Sequence, residues 1–357
     1  MFDFSDEFLF SVVAIFIGFI YGVIAQRKQF CFSGGIKDLI LFKHTRRTAS
    51  LILSITTAIL ATQLISYIYG IDLSETKYFL NINFILIVLG SIMFGYGMMI
   101  SDGCSSRHLI KVAQGDKDSF FILLSLGIFS YLTYSIFSIY NFSIYSIKII
   151  DITTVSKIYE VPLYFITPIL LYLLYKNLKK CMNFFQVIDG FIIGLIVSIV
   201  WYISAVLSKD FFVDISNQSL SFVYPLGKII EFIKSGFEGS YLIFSVLIVF
   251  GVILGSFVSS RVNKQYSRKL MCDNSQQNPP SLFHKVIGGA FMGVGGILAV
   301  GCTVGEGLSG VSTLSMASFI AIITIYLSAY ITAKRMHKHN SLVACFVFDF
   351  ECKKKNV

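Results

Sequence analysis

Apolar residues recur along the chain in continuous runs of roughly the length that crosses a lipid hydrocarbon core. Such runs lie near 8–25, 48–69, 82–100, 119–140, 161–176, 186–207, 240–258, 284–300 and 315–333, and they predict about nine transmembrane helices. A membrane β-barrel would instead alternate apolar and polar residues in pairs. Four further segments, 33–43, 104–114, 223–236 and 303–314, are too apolar for ordinary loops and too short to span. Segments of that length predict short interfacial or re-entrant helices. The expected fold is an all-α polytopic membrane protein.

Charge placement predicts the topology. With the N-terminus outside, every arginine and all but six of the 29 Lys and Arg residues fall on the inner side or in the tail. The first inner loop alone carries Arg27, Lys28, Lys37, Lys43, Arg46 and Arg47. Excess Lys and Arg in short loops marks the cytoplasmic face. The C-terminus is therefore expected in the cytoplasm, and the membrane is expected to be a bacterial inner (plasma) membrane.

Composition narrows the class. The chain has 357 residues, of which 55% are hydrophobic and 14% charged, with a mean hydropathy of +0.75. Soluble domains carry about 25% charged residues. A soluble enzyme, a secreted disulfide scaffold and a disordered chain are thereby excluded. The net charge of +9 is spread over loops rather than gathered on a basic helix, so no nucleic-acid partner is expected. The seven cysteines form no CxxC pair and no Cys/His spacing that suits zinc, and no metal or cofactor is expected. An acidic N-terminus (Asp3, Asp6, Glu7) argues against a cleavable signal peptide. With no nucleotide-binding motif, direct use of ATP by this chain is not expected, and the chain reads as a non-enzyme.

An internal repeat is legible. Gly90, Gly95, Gly97, Gly103 and Cys104 match Gly288, Gly293, Gly295, Gly301 and Cys302 at constant spacing without a gap. Gly18 and Gly22 echo Gly190 and Gly194. Each half reads helix, short segment, helix, helix, short segment, helix. Residues 1–140 form the first repeat, 141–185 a connector with one transmembrane helix, 186–333 the second repeat and 334–357 a cytoplasmic tail. The connecting helix leaves the second repeat inverted relative to the first. Inverted repeats with interrupted helices mark transporters whose site lies near the midplane.

Three cysteines share one setting. Cys31, Cys104 and Cys302 each stand directly before a short segment, followed by Ser33, by Ser105 and Ser106, and by Thr303. A helix N-terminus presents free N–H groups and a partial positive charge, a ready anion site. Hydroxyls add donors, and thiols add soft, polarisable groups suited to a sulfur-bearing anion. A thiolate would repel that anion, so neutral thiols are expected. Gly103 and Gly301 are expected to supply the sharp turn before each thiol. Glu306 stands near Cys302 either as a functional charge or as the last residue of a Thr303–Glu306 capping box. Arg107, His108 and Lys111 follow Cys104, and Lys37 and Asp38 suit an internal pair. The bland alternative for all three cysteines is packing in glycine-rich turns. Cys181, Cys272, Cys345 and Cys352 are assigned no role.

The stretch Gln26–Asp38, the stretch Gly95–Gly115 with Gly103-Cys104-Ser105-Ser106-Arg107-His108, and Gly301–Gly310 resemble the signatures of the YeeE/YedE sulfur-transport family. The resemblance covers about residues 8 to 333. It implies an inner-membrane thiosulfate permease with an hourglass-like helical fold, in which Cys31, Cys104 and Cys302 pass the anion along by S–H···S hydrogen bonds. A small cytoplasmic sulfur-carrier protein is the partner it implies, with the basic loops 26–47 and 259–285 available for docking. Two positions depart from the family pattern: Glu306 where an uncharged polar residue is usual, and Arg107 where a small residue is common. Transport of another sulfur or selenium species therefore stays open. So do a membrane sulfurtransferase that forms a cysteine persulfide and a purely structural role.

Overall fold

The computed structural model describes residues 4–71, 83–139, 186–210, 219–236, 243–266 and 280–342, with a few positions between them. The chain runs through α1 (Phe4–Lys28), α2 (Phe32–Leu41), α3 (Arg46–Tyr69), α4 (Phe84–Ile100), α5 (Ser105–Ala113) and α6 (Lys117–Ile139). It continues with α7 (Ile188–Asp210), α8 (Val223–Lys234), α9 (Phe244–Val262), α10 (Leu282–Leu298), a π-helical stretch Gly305–Gly310 and α11 (Met316–Lys338). A two-residue antiparallel ladder joins β1 (Cys272–Asp273) to β2 (Ala344–Cys345).

The protein is an all-α multi-pass membrane protein. Among the described residues seven helices are long and apolar enough to cross a bilayer. The helix α10 is apolar but has 17 residues, at the lower end of the spanning range. The span expected at 161–176 lies outside the described residues, apart from isolated positions. The short segments form where expected, with one difference: the fourth is a π-helix rather than an α-helix. Its wider turn is set by Ser309 N–H donating to Val304 O at 3.1 Å, a bond to the fifth residue back. Gly305, Gly307 and Gly310 leave room for that turn, and such stretches are common at functional sites.

Local chemistry sets the ends. Asn83 Oδ1 accepts from the amides of Ile85 and Leu86 at 3.0 and 3.3 Å and starts α4. Gly70, at φ +62°, closes α3 in the left-handed conformation.

Between helices, glycine decides the packing. The helix α1 lies along α9, and α3 lies along α7. A Cβ on Gly251 would sit 2.2 Å from Ile15 O, and one on Gly255 2.1 Å from Phe19 O. Gly190 and Gly194 meet Ser50 O and Ser54 O in the same way, at 2.1 and 2.6 Å. At the centre α4 crosses α10, with Gly97 against Gly288 O and Gly90 against Gly295 O. The repeated glycines of the sequence thus fall at backbone contacts between helices. In lipid, where apolar burial gives little drive between helices, such close approach lets dispersion hold them. The flanks pair α6 with α10 and α4 with α11. Large apolar side chains such as Phe16, Leu64 and Leu254 remain exposed on the outer surface, as lipid contact requires.

Gly251→Val is expected to force α1 and α9 apart, with a loss of about 1–3 kcal/mol or more from overpacking. Leu254→Val, on the exposed face, is expected to stay within about 0.5 kcal/mol. Thermal unfolding of the two purified variants in detergent reads the difference.

Candidate functional site

The three singled-out cysteines are all buried: Cys31 5% exposed, Cys104 1% and Cys302 0%. Each is reached through the same backbone device. Two residues before each thiol, a non-glycine residue adopts left-handed φ: Gln29 at +56°, Asp102 at +66° and Val300 at +66°. This corrects the expectation that Gly103 and Gly301 make the turn. Those glycines serve close approach instead. A Cβ on Gly103 would lie 3.1 Å from Arg107 Cγ and from His108 Nε2, and one on Gly301 3.0 Å from Glu306 Oε1. Left-handed φ in non-glycine residues costs of order 1–3 kcal/mol each and persists only where the surroundings enforce it.

Beyond the turn the thiols of Cys31 and Cys302 act as caps. Cys31 and Cys104 are the N-caps of α2 and α5. Cys31 Sγ accepts from the Gly34 amide at 3.3 Å and lies 3.1 Å from Ser33 Oγ. Cys302 Sγ accepts from the Gly305 amide, also at 3.3 Å. Cys104 Sγ lies 3.2 Å from Ser106 Oγ. The thiols of Cys31 and Cys104 lie near each other. A cavity of about 10 Å³ links the two halves, with Cys104 and Ser106 on one wall and Thr303 and Val304 on another. That is room for about one water molecule.

The other predicted residues separate into two kinds. Ser33 is bonded to its thiol. The hydroxyls of Ser105 and Thr303 are buried and make no hydrogen bond. Leaving a buried polar group unsatisfied costs about 1–3 kcal/mol, so each calls for a reason. The Thr303–Glu306 capping box therefore does not form. The Cys302 thiol takes the capping role, and the Glu306 amide donates to Cys302 O at 2.7 Å. The Glu306 carboxylate is buried against Gly301.

Two tyrosines join the site without a prior signal. Tyr21 is 1% exposed on α1, lies near Ser106 and packs its ring 5.5 Å from that of Phe222. Tyr78 donates to Gly305 O at 3.0 Å. A hydroxyl in mid-span was the available cue for Tyr21. Tyr78 lies between spans and carried none.

Buried charges brace the first half. Asp102 accepts from Lys111 at 2.7 Å and contacts Lys37, which ties α2 to α5. Lys37 thus pairs with Asp102 rather than with its neighbour Asp38, which binds Arg47 at 3.0 Å. His108 Nδ1 lies 2.9 Å from Ser119 Oγ, which donates to Asp116. Among the described residues no His, Cys, Asp and Glu group is placed to hold a metal.

Apolar spans, short interrupting helices and a buried thiol cluster define a multi-pass helical membrane protein with its polar chemistry at the centre. The chain matches the family described as Sulphur transport over residues 27–331 and belongs to that family. It is 21% identical to the thiosulfate transporter TsuA of Escherichia coli (strain K12), over 90% of this chain and 94% of that one. It is 23% identical to the thiosulfate transporter TsuA of Spirochaeta thermophila, over 89% of this chain and 97% of that one.

Asp102→Asn leaves Lys37 and Lys111 without their shared carboxylate and is expected to lose about 3–5 kcal/mol. Asp118→Asn removes only the half-exposed pair with Lys285 (side chain 46% exposed) and should lose at most about 1 kcal/mol. Melting temperatures of the purified variants test this; equal shifts would show that Asp102 is not the brace.

Proposed function

We propose that the protein is a permease that imports thiosulfate across a bacterial inner membrane, N-terminus outside and C-terminus in the cytoplasm. The observation that carries this reading is the convergence of three thiol-headed segments on one buried point. Cys104 meets Cys31 on one side and shares a cavity with Thr303, the neighbour of Cys302, on the other. The names of the relatives point to the same cargo.

We read residues 1–140 and 186–333 as inverted halves joined by 141–185, with 334–357 as the tail. The helix contacts support this. Exchanging α1 with α7, α2 with α8, α3 with α9, α4 with α10, α5 with the π-helix and α6 with α11 turns one set of packed pairs into the other. The pair α1–α9 becomes α7–α3, α6–α10 becomes α11–α4, and α6–α8 becomes α11–α2. Helix pairs related in this way suit alternating or relayed passage through a common centre.

In the transport step a dianion meets Cys302 first, then Cys104 and Cys31. Each neutral thiol donates to sulfur and then releases it. Binding at each point is weak, because a site that holds its ion tightly stops flow. Ser33, Ser105 and Thr303 supply hydroxyl partners, and Glu306 is the charge beside Cys302 that the passing anion must overcome. A cavity of about 10 Å³ does not admit thiosulfate, so the short segments must part for each passage. On the cytoplasmic side a small sulfur-carrier protein takes the product.

The test is uptake of labelled thiosulfate into cells that lack other import routes, at matched membrane levels of protein. Wild type should import. Cys31→Ala, Cys104→Ala and Cys302→Ala should each lose at least about tenfold, the equivalent of one hydrogen bond to a charged group. Normal uptake by all three variants sinks the relay, and no uptake by wild type sinks the cargo.

A further inference from the structure

Four short segments interrupt the spans, and thiols stand before three of them. We propose that Ser221, before the fourth, completes the set: its hydroxyl joins Cys302 and Thr303 in a subsite that takes both ends of thiosulfate. This inference rests on the thiosulfate reading above. Cys302 meets the outer sulfur, while Ser221 and Thr303 donate to the sulfonate oxygens.

The placement points to it. Cys31 stands directly before α2, and Ser221 stands two residues before α8, which is the helix that exchanges with α2 between the halves. Cys31 lies beside Cys104 in one half, and Ser221 lies beside Cys302 in the other. The space between those two is set by Gly305. A Cβ added there would lie 3.2 Å from Ser221 Oγ and 3.7 Å from Cys302 Sγ, so both groups close on this glycine.

The Ser221 hydroxyl at this contact is idle, and so is that of Thr303, the chain neighbour of Cys302 that lines the central cavity. Ser221 is 5% exposed and Thr303 3%, and neither oxygen makes a hydrogen bond. Their neighbours behave otherwise. Ser219 donates to Val197 O, Ser309 to Leu220 O and Ser312 to Ser309 O. Ser219, Ser309 and Ser312 are thus satisfied, whereas Ser221 and Thr303 are left unbonded, as is Ser318 against Gly310. The walls are fixed by the bond from Ser309 to Leu220 O and by the bond from Tyr78 to Gly305 O, each 3.0 Å.

The chemistry of the set is selective. A thiol is a soft, weak donor, and a hydroxyl is a harder, stronger one. One of the first and two of the second match an anion that carries sulfur at one end and oxygens at the other. An anion with four equal oxygens leaves the thiol without a soft partner.

The test uses the full-length protein in cells, with uptake of labelled thiosulfate followed as a function of concentration at matched membrane levels. Ser221→Ala is expected to raise KM about tenfold with Vmax largely kept, the loss of one bond to a charged group. Thr303→Val is expected to raise it likewise. Ser221→Cys restores a donor and should recover most of the affinity. An unchanged KM in Ser221→Ala overturns the subsite while wild-type uptake keeps the thiosulfate reading. Equal impairment of the Ala and Cys variants overturns it too, because that marks a packing role. Absence of uptake by wild type removes both.

Discussion

A helix that stops inside a membrane protein leaves backbone N–H groups without partners, and no water reaches them from lipid. The rest of this structure depends on how that demand is met, and at two of the four short segments a thiol meets it. At Cys31 and Cys302 the cap is sulfur, at 3.3 Å from the amide three residues on. Sulfur is a weaker acceptor than the oxygen of serine or aspartate, which are the preferred caps. A thiol cap satisfies the amide loosely and keeps its own proton available. The glycines serve the same end at longer range. By letting backbones touch at Gly18–Gly251, Gly97–Gly288 and Gly190–Ser50, they bury the interrupted segments in protein rather than exposing them to lipid.

Much of this was legible in the sequence. Run length alone locates the spans, because lipid imposes one length on all of them. The short segments are legible because they are apolar without being long. The glycine repeat is legible because close backbone approach tolerates no Cβ, which makes glycine a marker of contact rather than of flexibility. What sequence could not resolve is how each turn is made. Glycine before cysteine reads as a left-handed turn, yet that conformation falls one residue earlier, on Gln29, Asp102 and Val300. Only tertiary packing holds a β-branched valine there, and packing is not written in local pattern. The Thr303–Glu306 pair failed for a related reason. The spacing of a capping box was present, but a π-helical turn and a competing thiol took its place. Tyr78 joined the site from a connection between spans, where no periodicity marks a residue.

The two halves solve the same geometric problem with different chemistry. The first holds its short helices with buried ions: Lys37, Asp102 and Lys111 between α2 and α5, and Asp38 with Arg47 between α2 and α3. Around Cys302, neutral groups make several of the bonds. Tyr78 binds Gly305 O, Ser315 binds Tyr78 O, and Trp201 Nε1 donates to Ser312 Oγ at 3.1 Å. This asymmetry has a sequence origin in the arginines and lysines concentrated around residues 27–47 and 107–117.

Shared buried charges hold the segments around Cys31 and Cys104 firmly. Removing one partner from a buried ion pair costs about 3–5 kcal/mol, because the other charge is left stranded in a poor solvent. A neutral hydrogen bond contributes only about 0.5–1.5 kcal/mol net. Lys37, Asp102 and Lys111 share one carboxylate, so neither α2 nor α5 can shift alone without stranding a charge. The π-helix is tied by neutral bonds to Tyr78 and Leu220 and also buries the Glu306 carboxylate. Its wide turn already departs from the tighter α-helical ladder, and Gly305, Gly307 and Gly310 give it little side-chain anchorage. The Cys31–Cys104 pair therefore rests on a frame that shared buried charges lock in place.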